Sequence, residues 1–505
     1  MLCAARDRGD RAQKQLAKNL DVILAQKNAQ TADWGIEIVS LDSGRELYAK
    51  NAEQLFLPAS NLKLFTTASA FALIGPEYRF HTTVESSTAP DKYGRVVGDL
   101  VLVGRGDPNL SSRTLPYNSK TERSQSPTLV LENFADQLVR NGVKQIDGDI
   151  VGDDSFFPWE PLAQGWSQDD LQWYYGAPVS ALSINDNMIQ LTIMPGEREG
   201  TSAFLNFDPW APYYEVENHL LTSAAEPPGT HRSPNAPPSY AIYRAPGSRR
   251  ITFSGTIPLS DAGESEQLAI DDPALFSAEA FKAQLEKRGV KILGSARASH
   301  RDLREIAGTS TPPPRQVLAS YDSLPYFEDL RVINKVSQNQ HAELALRLMG
   351  KVRGGDGSLE SGLGVEEQFL SQAGITPQEY SLHDGSGLSR QDLITPAAMI
   401  KLLRYAAAQP WGAQFQQTLP VAGVDGSLSD HFKNSPANGH VQAKTGGMDH
   451  VKSLSGYATT LAGERVAFTI LLNNYSMTDE EAHLVMDQIV NALVEMPGTG
   501  ATKKK

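Results

Sequence analysis

The 505-residue chain contains one cysteine, Cys3, which excludes an intrachain disulfide and any multi-cysteine metal site. Its ten histidines are scattered, with no His-Glu-x-x-His or comparable ligand spacing. No metal or other cofactor is expected. Basic charge is also scarce: 46 Lys and Arg face 59 Asp and Glu, the formal net charge is −13, and the one compact basic run is Lys503-Lys504-Lys505. Without a phosphate-neutralising surface, nucleic acid is not an expected partner. No apolar run approaches the length of a membrane-spanning helix. Residues 1–27 lack the apolar core of a signal peptide, and no apolar segment precedes Cys3 to support a lipid anchor, so no export signal is visible.

What is present is ample apolar content, 40% of residues, enough for the cores of two or three domains. Residues 12–30 carry Leu16, Leu20, Ile23 and Leu24 on one helical face. Alternation over Gly35–Ser40, a turn at Asp42-Ser43-Gly44 and the run Glu46–Ala49 predict a hairpin. From about residue 81 strand-like pieces recur, among them Arg95–Val103 and Ile146–Val151, separated by turn-rich segments; no internal repeat is evident. Residues 224–250 read as a long Pro/Ser/Gly-rich surface loop, and Thr309–Pro314 as a boundary. Helices return at Tyr326–Val336, His341–Met349 and after Thr395-Pro396. Buried strands are expected at Leu454–Thr459 and Val466–Leu472, and Thr478-Asp479-Glu480-Glu481 is a capping box opening a last helix. The division is 12–80 plus 309–496 as one discontinuous domain, 81–308 as β-rich insertion, and 497–505 as a disordered tail.

The candidate chemistry starts at Leu57-Pro58-Ala59-Ser60-Asn61-Leu62-Lys63, read as a helix beginning near Ser60. Residues three apart share a helix face, so the Ser60 hydroxyl and the Lys63 amine can meet, giving a nucleophile whose base is a lysine. Alone, the pair reads more readily as an N-cap followed by a solvated lysine. A basic role requires Lys63 to be neutral part of the time, a shift from ~10.4 to near 7 that corresponds to roughly 4–5 kcal/mol. Burial or a second cation can supply that shift. Lys444-Thr445-Gly446 occurs once, directly before a predicted strand; its cation can depress Lys63 and attract a carboxylate, and its glycine admits substrate backbone. Ser-x-Asn occurs at Ser183, Ser233 and Ser337, and only Ser337-Gln338-Asn339 lies in a short break between predicted helices. There Ser337 can relay a proton and Asn339 can hold a substrate amide.

In that order, Ser60-x-x-Lys63, Ser337-x-Asn339 and Lys444-Thr445-Gly446 resemble the three active-site motifs of penicillin-recognising enzymes. Asp384-Gly385-Ser386-Gly387-Leu388-Ser389-Arg390, Leu419–Leu428 and Gly104-Arg105-Gly106-Asp107-Pro108 narrow the resemblance. They are similar to the class C low-molecular-mass penicillin-binding proteins, the D-alanyl-D-alanine carboxypeptidase/endopeptidase family of the penicillin-binding protein 4 type (serine peptidase family S13). The resemblance spans about residues 20–495. It implies an α/β (α+β) transpeptidase-like domain, an antiparallel sheet flanked by helices, with a large β-rich insertion forming one or two extra domains.

The resemblance further implies that Ser60 attacks the carbonyl between two D-alanines, or a D-amino-acid cross-link, of peptidoglycan stem peptides. Lys63 would be the base, Ser337 the relay to the leaving amine, and Lys444 with Thr445 the holders of the terminal carboxylate. Backbone N–H groups of Ser60 and Gly447 would form the oxyanion hole beside Gly446. β-Lactams would acylate the same serine, in a periplasmic or otherwise extracytoplasmic enzyme. A pocket for the peptide side chain maps onto Asp153, Arg390 and Met448, although Asp153 reads equally as a turn residue and Arg390 as a partner of Asp384. Clustered Trp166, Trp173, Tyr174 and Tyr175 read as core more than as a sugar-binding face. Two departures stand out: Gly447 occupies a position where the family usually has Thr or Ser, and Asp449 is acidic where a relative has an amide. A β-lactamase and a non-catalytic peptidoglycan-binding scaffold are the competing functions. Oligomeric state is not legible.

Overall fold

In strand Arg465–Asn473, Val466, Phe468, Ile470 and Leu472 enter one hydrophobic core, while Ala467 and Leu471 enter another. A strand apolar on both faces must be covered on both sides. In the computed structural model, which describes residues 2–115, 125–227, 239–303 and 314–498, it is the central strand of a five-stranded sheet. The order across that sheet is Glu46–Lys50, Asp33–Ser40, Arg465–Asn473, Val451–Thr459 and Val441–Met448, antiparallel throughout. Both ends of the chain therefore meet in one sheet, and the edge strand carries Lys444-Thr445-Gly446.

The first and last helices, Leu2–Leu24 and Asp479–Val494, cover one face through Leu16, Leu20, Val485 and Ile489. The last helix opens on a reciprocal capping box between Thr478 and Glu481. Helices Lys63–Leu73, Tyr326–Lys335, Asn339–Met349, Leu359–Gln372 and Pro396–Ala408 cover the other face. Thr395 caps the last of these by accepting from the Ala398 N–H at 3.0 Å.

Between residues 81 and 322 lie extra β-rich domains with two further cores. The expected continuous strands at 95–103 and 146–151 are each broken at a glycine. Strands Arg95–Val96, Gln145–Ile146 and Lys291–Ile292 pair in parallel in one sheet. After a corner, Leu100–Val103, Ile150–Pro158 and Ala296–Arg301 pair in parallel in another. The corners are Gly98, Gly148 and Gly294, stacked so closely that a Cβ on Gly148 would lie 2.6 Å from the Gly98 carbonyl oxygen, and one on Gly294 2.3 Å from that of Gly148. This is an internal structural repeat. It escapes sequence inspection because each unit retains little beyond its apolar positions and the glycine.

Strand Gln316–Asp322 pairs with His81–Ser86, so this insertion sheet extends past the expected boundary at 308. Two three-stranded sheets enclose the smaller core of Leu191, Ile193, Leu220, Phe253 and Ile257. Residues 309–313 of the Pro-rich boundary, 228–238 of the long loop (with Ser233-Pro234-Asn235) and 499–505 of the expected tail lie outside the described residues.

Phe468, fully buried at the centre of the sheet, supplies a direct check on this packing. Phe468→Ala is expected to lower the unfolding free energy by about 3–5 kcal/mol in urea titrations; a loss below about 1 kcal/mol would mean that this sheet is not the packing centre.

Candidate active site

Ala59 adopts φ +46°, left-handed backbone that non-glycine residues seldom take. A single 3₁₀ turn, Ala59–Leu62, then leads into the α-helix Lys63–Leu73. The helix thus begins one turn later than the sequence suggests, and Ser60 does not cap it. In a 3₁₀ turn residues i and i+3 eclipse, which brings Ser60 beneath Lys63. Lys63 Nζ lies 2.8 Å from Ser60 Oγ.

The same amine donates to Asn339 Oδ1 at 2.6 Å and to the Ser386 carbonyl at 2.7 Å. Lys63 has no solvent exposure. Burial lowers its pKa from 10.5 to about 7, working against the carboxylates of Asp384, Glu343 and Asp392, which raise it. Asp384 holds its own loop rigid, accepting from the backbone N–H groups of Gly387 at 2.6 Å and Ser389 at 2.7 Å, and from Trp166 Nε1 at 2.8 Å. That loop fixes the Ser386 carbonyl on Lys63.

Ser337 lies in the middle of the break between Tyr326–Lys335 and Asn339–Met349, with φ +67°. Its Oγ accepts from Lys444 Nζ at 2.8 Å, and Lys444 also donates to the Thr445 carbonyl at 2.6 Å. Lys444 is fully buried, and its pKa is lowered well below the ordinary value by that burial and then by the charge of Lys63. Burial is the leading cause at both lysines, and the charge of Lys63 adds to it at Lys444.

The edge strand is locked onto the turn. Asn61 Nδ2 donates to the Lys444 carbonyl at 3.1 Å and to Ser453 Oγ at 2.7 Å, and Ser453 Oγ donates to the Pro58 carbonyl at 2.6 Å. A Cβ on Gly446 would lie 2.2 Å from Ser453 Oγ and 2.9 Å from the Ser60 nitrogen, so only glycine lets strand and turn approach. At Gly447 the nearest atom to a Cβ would be Lys452 Nζ at 3.4 Å. Thr445 Oγ1 and Ser427 Oγ are 2.6 Å apart. A cavity of ≈ 280 Å³ connects Ser60, Ser337, Ser427, Thr445, Gly447 and Lys452.

Ser60, Lys63, Ser337, Asn339, Lys444, Thr445, Gly446 and Gly447 are therefore brought to one cleft. Neither end of the Asn339 amide is left over: its Nδ2 donates to the Tyr175 carbonyl at 2.8 Å. Arg390 pairs with Asp449 at 3.7 Å rather than with Asp384, and Asp449 follows Met448 at the tip of the Lys444 hairpin. Asp153 is not brought here. It accepts from Arg315 at 3.1 Å within the insertion sheet, and among the described residues no contact joins it to the cleft.

A second acidic residue beside Arg390 is Asp170, hydrogen-bonded to the Tyr175 hydroxyl, its pKa raised by burial against the opposing charge of Arg390. Sequence reading missed Asp170 because its segment, Gln164–Tyr175, has no regular pattern; the neighbouring aromatics were its one signal. Trp166 and Trp173 do pack against cores, while Tyr174 remains 39% exposed. Asn61 and Ser427 lie within stretches singled out in the sequence but were given no role there, and Ser453 had no motif to announce it. No cluster of potential metal ligands occurs among the described residues, nor any helix long and apolar enough to cross a membrane.

The family model for D-Ala-D-Ala carboxypeptidase 3 (S13) matches residues 16–496. The D-alanyl-D-alanine carboxypeptidase of an Actinomadura species is 32% identical over 500 residues, covering 96% of this chain and 85% of that protein. The D-alanyl-D-alanine carboxypeptidase DacB of Haemophilus influenzae is 26% identical, covering 91% of this chain and 89% of that one. The crystal structure of Haemophilus influenzae penicillin binding protein 4 superposes with a TM-score of 0.77 at 25% identity, covering 94% of this chain and 98% of its own. The chain belongs to the D-Ala-D-Ala carboxypeptidase 3 (S13) family and is a serine carboxypeptidase of the penicillin-binding protein 4 type.

Proposed function

We propose that Ser60 is the nucleophile of this carboxypeptidase and that its substrates are peptidoglycan stem peptides ending in D-Ala-D-Ala. The observation that carries the reading is the buried Lys63 amine, 2.8 Å from Ser60 Oγ and depressed to about 7. A neutral amine has two N–H donors and one lone pair. With Asn339 Oδ1 and the Ser386 carbonyl taking the donors, the lone pair faces the Ser60 hydroxyl, the arrangement a general base requires.

Attack by Ser60 Oγ on the carbonyl between the two D-alanines forms a tetrahedral oxyanion, received by the N–H groups of Ser60 and Gly447. Collapse breaks the C–N bond, and Ser337, hydrogen-bonded to Lys444, delivers the proton to the leaving amine. Lys444 and Thr445 hold the substrate carboxylate. Water then hydrolyses the ester, with Lys63 again taking a proton. A β-lactam acylates Ser60 by ring opening, without a departing amine. Arg390, Met448 and, in place of Asp153, Asp170 flank the cleft where the peptide side chain enters. Such substrates place the enzyme outside the cytoplasm. The catalytic domain is the one built from both chain ends, around the insertion.

Labelling by a fluorescent penicillin tests the nucleophile: it is expected to vanish in Ser60→Ala, and labelling that survives would refute the assignment. Fast turnover of a chromogenic β-lactam would favour a β-lactamase. Because Lys63 acts when neutral, the acylation rate constant is expected to fall about tenfold per pH unit below pH 7 and to level off above it. Lys63→Arg, which cannot deprotonate, should abolish acylation at every pH; an unchanged pH profile would remove Lys63 from the base role. Gly446→Ala, driven into Ser453 and the Ser60 nitrogen, is expected to cost about 1–3 kcal/mol of stability and to slow acylation at least about tenfold. Wild-type behaviour in both measurements would show that the strand does not set the Ser60 geometry.

A further inference from the structure

We infer that Lys452 is a carboxylate-binding residue of this site, standing in for the side-chain hydroxyl that Gly447 lacks; the inference rests on the Ser60 reading above. Gly447 and Lys452 are directly opposite one another on the paired strands Val441–Met448 and Val451–Thr459. Side chains at alternate positions share a sheet face. Thr445 and Gly447 therefore look the same way, and Lys452 lies across from them on that face. The Lys452 ammonium reaches back over the glycine: a Cβ at residue 447 would lie 3.4 Å from Nζ and 3.6 Å from Cδ. The lysine thus lies in van der Waals contact with the position of a Cβ at 447, in the space that the rest of a threonine side chain there would share.

Lys452 lines the cavity that holds Ser60, Thr445 and Ser427, with its side chain 12% exposed. Among the described residues it makes one hydrogen bond, to Asp479 Oδ2 at 2.7 Å. Asp479 is 69% exposed, in the first turn of the terminal helix, and is itself held by the Tyr475 hydroxyl at 2.8 Å. An ammonium has three donors. Asp479 takes one and leaves two for an acceptor in the cavity that Lys452 lines, the part a free carboxylate on the leaving residue plays. A charge-assisted bond replaces a neutral hydroxyl contact.

The test compares a diacyl tripeptide ending in D-Ala-D-Ala with the same peptide bearing a C-terminal amide. Lys452→Met is expected to raise KM for the acid roughly ten- to a hundredfold with little change in kcat, and to leave the amide nearly unaffected. Lys452→Arg should retain most of the preference for the acid. Gly447→Thr, added to Lys452→Met, should restore it, because the hydroxyl then has both the position and the room. An unchanged acid-to-amide ratio in Lys452→Met would overturn the inference. So would equal losses for both substrates, the signature of a lysine that only pins the terminal helix. These results are separable from failure of the Ser60 reading, which would appear as fluorescent-penicillin labelling that survives Ser60→Ala.

Discussion

An amine sealed from water against a serine hydroxyl is the constraint around which this molecule is arranged. Desolvation of a lysine is expensive, and the protein sustains it at Lys63 by giving the amine three fixed partners from three parts of the chain: Ser60, Asn339 and the Ser386 carbonyl. Each partner needs its own support. Ser386 is held by the Asp384 loop, Asn339 is held by the Tyr175 carbonyl, and Ser60 is held by a turn whose Ala59 sits in left-handed backbone. Strain of this kind persists only where surrounding structure over-determines it.

The sheet supplies that over-determination. Its central strand is apolar on both faces, so helices must close it on both sides, and the edge strand is left to face Ser60. Asn61, Ser453 and Gly446 then weld edge strand to turn. Two lysines can share one cleft because burial disfavours their charged forms and each has a hydroxyl partner, Ser60 for Lys63 and Ser337 for Lys444. Support also comes from the segment between residues 81 and 322, where Trp166 holds Asp384 and the Tyr175 carbonyl holds Asn339.

How far the sequence could be read follows from the range of the forces involved. Local patterns performed well where local physics decides: the Thr478 capping box, the Thr395-Pro396 helix start and the strands on either side of residue 460 all lie where periodicity and capping put them. Reading was poorest where backbone conformation departs from propensity. Ser60 enters through a 3₁₀ turn instead of opening the helix, and the strands at 95–103 and 146–151 are cut by glycine corners whose stacking only long-range pairing reveals. Asp153, the acidic residue expected near Arg390, bonds Arg315 in the insertion sheet, whereas Asp170 lies beside Arg390; an acidic residue at a strand end says nothing about which domain face that strand presents.

By itself the sequence determined which chemical groups exist, Ser60, Lys63, Ser337, Asn339 and Lys444, and their order along the chain. Spacing and residue type are enough for that, since a hydroxyl three residues before a lysine is a local fact. Only the tertiary structure decided that Lys63 is buried, that Lys444 answers to Ser337, and that Lys452 covers Gly447. Desolvation and cross-strand proximity belong to pairs of residues hundreds of positions apart or on facing strands, and a linear pattern carries neither.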